Sequence, residues 1–123
     1  AAPAAPAAAG VGAFTAEERD SWAATRAELC AASAKNAAAL RAIDGALLVL
    51  SLDDDAPESL GAAGRAVLCG APAARWFDKL TLIVFANGVT GINFEHAPVD
   101  GAQVVTYLNQ IHAATAQEGP PPA

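Results

Sequence analysis

Apolar and polar positions divide the chain into a helical N-terminal part, a strand-rich middle and a helical end. After an Ala/Pro/Gly stretch, Thr15-Ala16-Glu17-Glu18 has the form of a capping box, which predicts a helix starting at Thr15. Trp22, Leu29 and Cys30 mark its apolar face, and it ends near Ser33. Asn36 is a good N-cap for a second short helix through Leu40 and Ile43. Leu47–Leu52 is a short apolar run after Gly45 and reads as a buried strand, ended by Asp53-Asp54-Asp55-Ala56-Pro57. Residues 55–74 read as a loop, with room for one short helix or strand near Ala66–Leu68. Leu80–Phe85 is a second strand. The Asn87-Gly88 that follows suits the positive φ angles of a two-residue hairpin turn, with Val89–Glu95 as the return strand. If the strand continues to His96, then Ile92, Phe94 and His96 share one parity and Glu95 has the other. The last helix is predicted from about Gly101 to Ala114, with Val104, Leu108 and Ile111 on one face. Strands and helices mix without strict alternation, so the expected class is α+β, built of mixed α/β layers.

Composition narrows what such a fold can do. The 123 residues suffice for one modest domain. Residues 1–13 are low-complexity Ala/Pro/Gly and the tail 117–123 is Pro-rich; both are expected to be disordered, leaving 14–116 as the domain. Apolar residues make up 54% of the chain, but many are alanines that bury little area. Seven basic residues against thirteen acidic ones give a net charge of −6, and the basic ones are scattered. Nucleic-acid binding, which needs a basic stripe, is therefore not expected. No apolar run is long enough to span a membrane. Two cysteines, Cys30 and Cys69, do not make a disulfide framework. Glu95, His96 and Asp100 lack a second well-spaced histidine, so no metal site is expected. The first residue is Ala rather than Met, which suggests a fragment or a processed chain.

The candidate chemistry lies at His96-x-x-x-Asp100-Gly101. Imidazole titrates near neutral pH and can take a proton from a hydroxyl or thiol and return it. A carboxylate within reach would fix its tautomer and steady the imidazolium. Asp100 also has a structural use: Asp100-x-x-Gln103 resembles a capping box for the last helix. One carboxylate oxygen can cap while the other faces His96. His112, beside Ile111 on the last helix, reads as a partly exposed helix residue.

The surrounding residues give that pair a context. Arg75-Trp76-Phe77-Asp78-Lys79, an apolar strand, Asn87-Gly88 and then Glu95-His96-Ala97-Pro98-Val99-Asp100-Gly101 resemble the carnitine/choline acyltransferase family. Arg19, Trp22, Arg26 and Leu29 look like the family's Arg-x-x-Trp-x-x-x-Arg-x-x-Leu helix, and Leu52-Asp53-Asp54 like its Leu-Asp-Asp strand end. The resemblance covers roughly residues 14–116 and implies part of a fold like that of chloramphenicol acetyltransferase. It implies transfer of an acyl group between CoA and the hydroxyl of carnitine, with His96 as general base and Asp100 as its supporting acid. The substrates would be acyl-CoA and carnitine, CoA being a substrate rather than a bound cofactor. The setting it implies is a mitochondrion or a peroxisome. Glu95 reads as a structural partner to a basic residue, and the Arg75–Lys79 block as architecture: Trp76 and Phe77 fill core, while Arg75, Asp78 and Lys79 pair with one another or with nearby loops.

Two departures from the family pattern bear on activity. The family's CoA-binding lysines, oxyanion-stabilising Ser-Thr-Ser segment and carnitine-carboxylate group lie in a later part and have no counterpart among these 123 residues. The segment 55–74 matches poorly, with Ala74 where many members carry a polar residue. The chain therefore reads as a fragment of the enzyme, inactive in isolation, with the remainder missing. The competing readings are an O-acyltransferase of the His-x-x-x-Asp-Gly group acting on choline or another alcohol, and a catalytically silent remnant that acts only by association.

Overall fold

The computed structural model describes residues 10–70 and 75–118. Among them are four α-helices, α1 (Arg19–Ala32), α2 (Ala34–Asp44), α3 (Leu60–Cys69) and α4 (Gly101–Glu118), and three strands, β1 (Val49–Asp53), β2 (Thr81–Phe85) and β3 (Thr90–Asn93). A 3-10 turn, Val11–Ala16, precedes α1. The segments 1–9 and 119–123, parts of the stretches expected to be disordered, lie outside the described residues. Val11–Ala13 belong to the 3-10 turn, and α4 runs past Ala114 to Glu118.

The sheet has the order β1-β2-β3. β1 pairs parallel with β2, and β2 pairs antiparallel with β3. The second pairing is an antiparallel hairpin where Asn87-Gly88 predicts one, but its loop is three residues, Ala86, Asn87 and Gly88, rather than two: the register sets Phe85 opposite Val89, and the Gly88 N–H donates to the Phe85 carbonyl at 2.9 Å. Gly88 has φ +80°, the left-handed value the turn requires and a side chain resists. The Asn87 side chain accepts from the Val89 N–H at 3.3 Å and donates to the Pro57 carbonyl at 2.9 Å, tying the turn to the end of the β1–α3 connection.

Local signals near the helix starts were taken over by longer-range partners. Thr15 caps nothing: its hydroxyl donates to the Gly12 carbonyl at 2.6 Å and accepts the Phe77 N–H at 2.8 Å. Glu18 caps α1 instead, accepting the N–H groups of Asp20 and Ser21. Ser33, extended at φ −162°, ends α1 and caps α2 through Lys35 N–H. Asn36, the expected cap, instead donates to the Leu29 carbonyl at 3.0 Å and joins the two helices, as does the Arg26–Asp44 ion pair. The largest correction is α3, ten residues of helix where a loop was expected. Ser59 caps it through the Ala62 N–H, and its one buried residue, Val67, packs with Ile83 and Phe85 as the core.

Strand register gives the sheet two unlike faces. Ser51, Asp53, Thr81, Ile83 and Phe85 are buried on the face that α3 covers. Leu50, Leu52, Leu82, Val84 and Ile92 share the other face. Leu82, Val84 and Ile92 are half-buried, whereas Leu52 is 74% exposed. Together with Leu47 and Leu48 these side chains make an apolar patch. The 123-residue chain is accordingly expected to bind a dye such as ANS in its native state and to self-associate as concentration rises. Leu52→Lys, on the edge strand, should weaken both effects without lowering stability. Sedimentation and dye titration check this; a strictly monomeric chain that leaves the dye dark would contradict it.

Candidate active site

β3 ends at Asn93, and the chain passes through Phe94 and Glu95 into a turn over residues 96–98 before Asp100 opens α4. His96 lies in that turn and is exposed. Its ring sits 5.7 Å from the Phe94 ring, tilted by 39°. Because the strand stops at Asn93, the turn and not strand alternation sets this proximity. Among the described residues the His96 side chain makes no hydrogen bond.

Asp100 forms the reciprocal capping box. Its Oδ1 accepts the Gln103 N–H at 3.0 Å, and its own N–H donates to Gln103 Oε1 at 3.0 Å. The structure places His96 and Asp100 in one short loop but, among the described residues, does not join them by a hydrogen bond. Asp100→Asn should therefore leave stability nearly unchanged, whereas Asp100→Ala should cost about 1 kcal/mol through loss of the cap. Urea denaturation of both variants checks this; equal losses would remove the cap from the account.

Glu95 turns the other way. It is half-buried in a cleft of about 390 Å³ lined also by Thr15, Glu17, Arg19, Trp22, Phe77 and Asp78. Arg19 is the basic group in that lining, yet no ion pair to Glu95 forms among the described residues.

Arg75 is 1% exposed and does not pair with Asp78 or Lys79. It forms a bidentate pair with Asp53 at the end of β1, Nη2 to Oδ2 at 2.7 Å and Nη1 to Oδ1 at 3.3 Å. The Ser51 hydroxyl donates to Asp53 Oδ1 at 2.7 Å. The guanidinium hydrogen bonds hold the Asp53 carboxyl below the usual carboxylate value, against the opposing effect of burial, and the Ser51 bond adds to the lowering. Trp76 and Phe77 are half-buried rather than core. Sequence reasoning missed the Arg75–Asp53 pair. Its local trace was the alternation Leu50-Ser51-Leu52-Asp53, which puts two polar side chains on one face of an apolar strand.

The sequence model described as Choline/Carnitine o-acyltransferase matches residues 1–122. The chain belongs to the choline/carnitine acyltransferase family. It is 43% identical over 101 residues to the peroxisomal carnitine O-octanoyltransferase of Bos taurus, covering 78% of this chain and 16% of that protein. It is 42% identical over 101 residues to the peroxisomal carnitine O-octanoyltransferase of Homo sapiens, again 78% and 16%. It is 36% identical over 105 residues to the mitochondrial carnitine O-palmitoyltransferase 2 of Homo sapiens, covering 85% of this chain and 16% of that protein. The chain thus spans about a sixth of the length of the curated relatives it matches. Its mixed helix-and-sheet architecture is the α+β class expected. Among its described residues no helix is long and apolar enough to cross a membrane.

Proposed function

We propose that this chain supplies the general base for acyl transfer between CoA and the hydroxyl of carnitine, and that the base is His96. The observation that carries the reading is the placement of Glu95-His96-x-x-x-Asp100-Gly101 between β3 and α4, with His96 exposed, in a chain of this family. In the forward step His96 takes the hydroxyl proton as the oxygen bonds to the thioester carbonyl carbon. The carbon–sulfur bond then breaks and the proton returns to the sulfur, releasing CoA as the thiol. No acyl-enzyme is formed. Asp100, with one oxygen in the helix cap, supports the imidazolium with the other. Carnitine is favoured over choline by the relatives, all three of which are named for carnitine. Their peroxisomal and mitochondrial names favour one of those two settings.

The test is a chimera in which this chain's matching segment replaces the 101-residue segment of the bovine relative, assayed for carnitine-dependent release of the CoA thiol. Transfer is expected, and a folded chimera without it would overturn the reading. The 123-residue chain alone should release no thiol above background, because the groups that would stabilise the oxyanion and bind CoA have no counterpart in it. Turnover by the isolated chain would show that acyl transfer here needs less than the family machinery.

A further inference from the structure

We propose that Arg75 is a positioning residue for His96, acting through the Val67 carbonyl and β3; this rests on the reading of His96 as the base. The Arg75 guanidinium has five N–H bonds and uses all of them. Nε donates to the Val67 carbonyl at 3.2 Å. Nη1 donates to the Ser51 hydroxyl at 3.1 Å and to Asp53 Oδ1 at 3.3 Å. Nη2 donates to Asp53 Oδ2 at 2.7 Å and to the Ala66 carbonyl at 2.9 Å. The fork thus binds the end of β1 and the last turn of α3 into one unit, and places a positive charge at the carbonyl end of the helix. A buried ion pair is seldom more stabilising than apolar side chains of the same size. What a planar five-donor fork adds is fixed relative geometry.

That geometry reaches the site through Val67. Its carbonyl also accepts the Asn93 side-chain N–H at 3.4 Å, so Arg75 and the last residue of β3 share one acceptor. The Val67 side chain fills the space beside Gly91, where a Cβ would collide with it. β3 is therefore fixed against α3 at Gly91 and at Asn93; Phe94 follows Asn93 directly, and the His96 ring rests near the Phe94 ring. With no side-chain hydrogen bond of its own among the described residues, His96 inherits its position from this strand.

The chain has two histidines, and His112 on α4 is exposed and remote in sequence from the fork, so it serves as an internal reference. The experiment follows the ring proton resonances of both histidines, and amide exchange across β3, α1 and α2, in the 123-residue chain and its Arg75→Lys and Asn93→Ala variants. In both variants the His96 lines should shift as the Phe94 ring current changes, while the His112 lines stay in place. Amides of β3 should exchange about tenfold faster relative to those of α1 and α2, as expected for losing one side-chain bond to a buried carbonyl. A purely structural Arg75 would lower protection equally everywhere and leave the native His96 lines unmoved, and that result overturns the proposal. If Arg75→Lys does not fold, Asn93→Ala decides: unmoved His96 lines there overturn it equally. The readout involves no turnover. Failure of the base reading is seen separately, as acyl transfer that survives His96→Ala in the chimera.

Discussion

His96→Ala in the chimera is expected to reduce turnover by about 10²–10⁴-fold, the usual effect of removing a general base. That corresponds to about 3–5 kcal/mol of barrier. The loss should fall on kcat and leave acyl-CoA binding nearly unchanged, because the imidazole acts on a proton that moves only in the transition state. His96 is exposed and makes no side-chain hydrogen bond among the described residues, so its removal should not disturb folding. Asp100→Asn should cost less than His96→Ala: the helix cap survives and only the charge behind the imidazolium is lost. Steady-state rates with separate determination of acyl-CoA affinity check these expectations. Near-normal turnover in His96→Ala would end the assignment of the base, and full activity in Asp100→Asn would leave Asp100 its capping role alone.

The sequence made legible those features whose physics is local. Asn87-Gly88 marks the place of its hairpin because few residue types accept a left-handed turn position, which Gly88 takes, although the loop has three residues and not the expected two. The Asp100–Gln103 box is legible because both partners lie within one helical turn. α3 was not, for two reasons. Gly61 and Gly64 each weaken a helix by about 1 kcal/mol relative to alanine. What offsets them is tertiary, the packing of Val67 against Ile83, Phe85 and the bare backbone of Gly91. Thr15 and Asn36 failed as caps for a similar reason. Their polar groups found partners at Phe77 and Leu29, which no reading of the next three residues can anticipate. In the candidate site, motif order placed His96 and Asp100, but their separation of roles depends on which carboxylate oxygen the cap takes. The partner of Arg75 lies 22 residues away across a helix, so the expectation of pairing within the block or with nearby loops misses it, Asp78 being the acid nearest in sequence.

Asp53→Ala is expected to be the most destabilising of the single substitutions considered, at about 3–5 kcal/mol, because it leaves the Arg75 guanidinium buried without its counter-charge. Domains of ordinary size have only about 5–15 kcal/mol in total. A chain with one sheet face only partly covered should therefore be largely unfolded at room temperature by this one change. The double variant Asp53→Leu/Arg75→Met should recover much of the loss, since it removes both charges and fills the space with apolar atoms. The difference between the double variant and the sum of its component singles, Asp53→Leu and Arg75→Met, measures the coupling directly. Acid should act on the same pair. The Asp53 carboxyl titrates below its unfolded value, so its contribution is fully present above the ordinary carboxylate range and is lost as pH falls through the lower, folded value. Acid unfolding followed by circular dichroism should thus begin below about pH 4, and the double variant should be less sensitive there. The decisive comparison is urea denaturation of the native chain, both singles and the double at neutral pH. Singles no less stable than the native chain would mean that β1 and α3 hold together without the fork, and the shared geometry of Arg75, Val67 and Asn93 would then need another source.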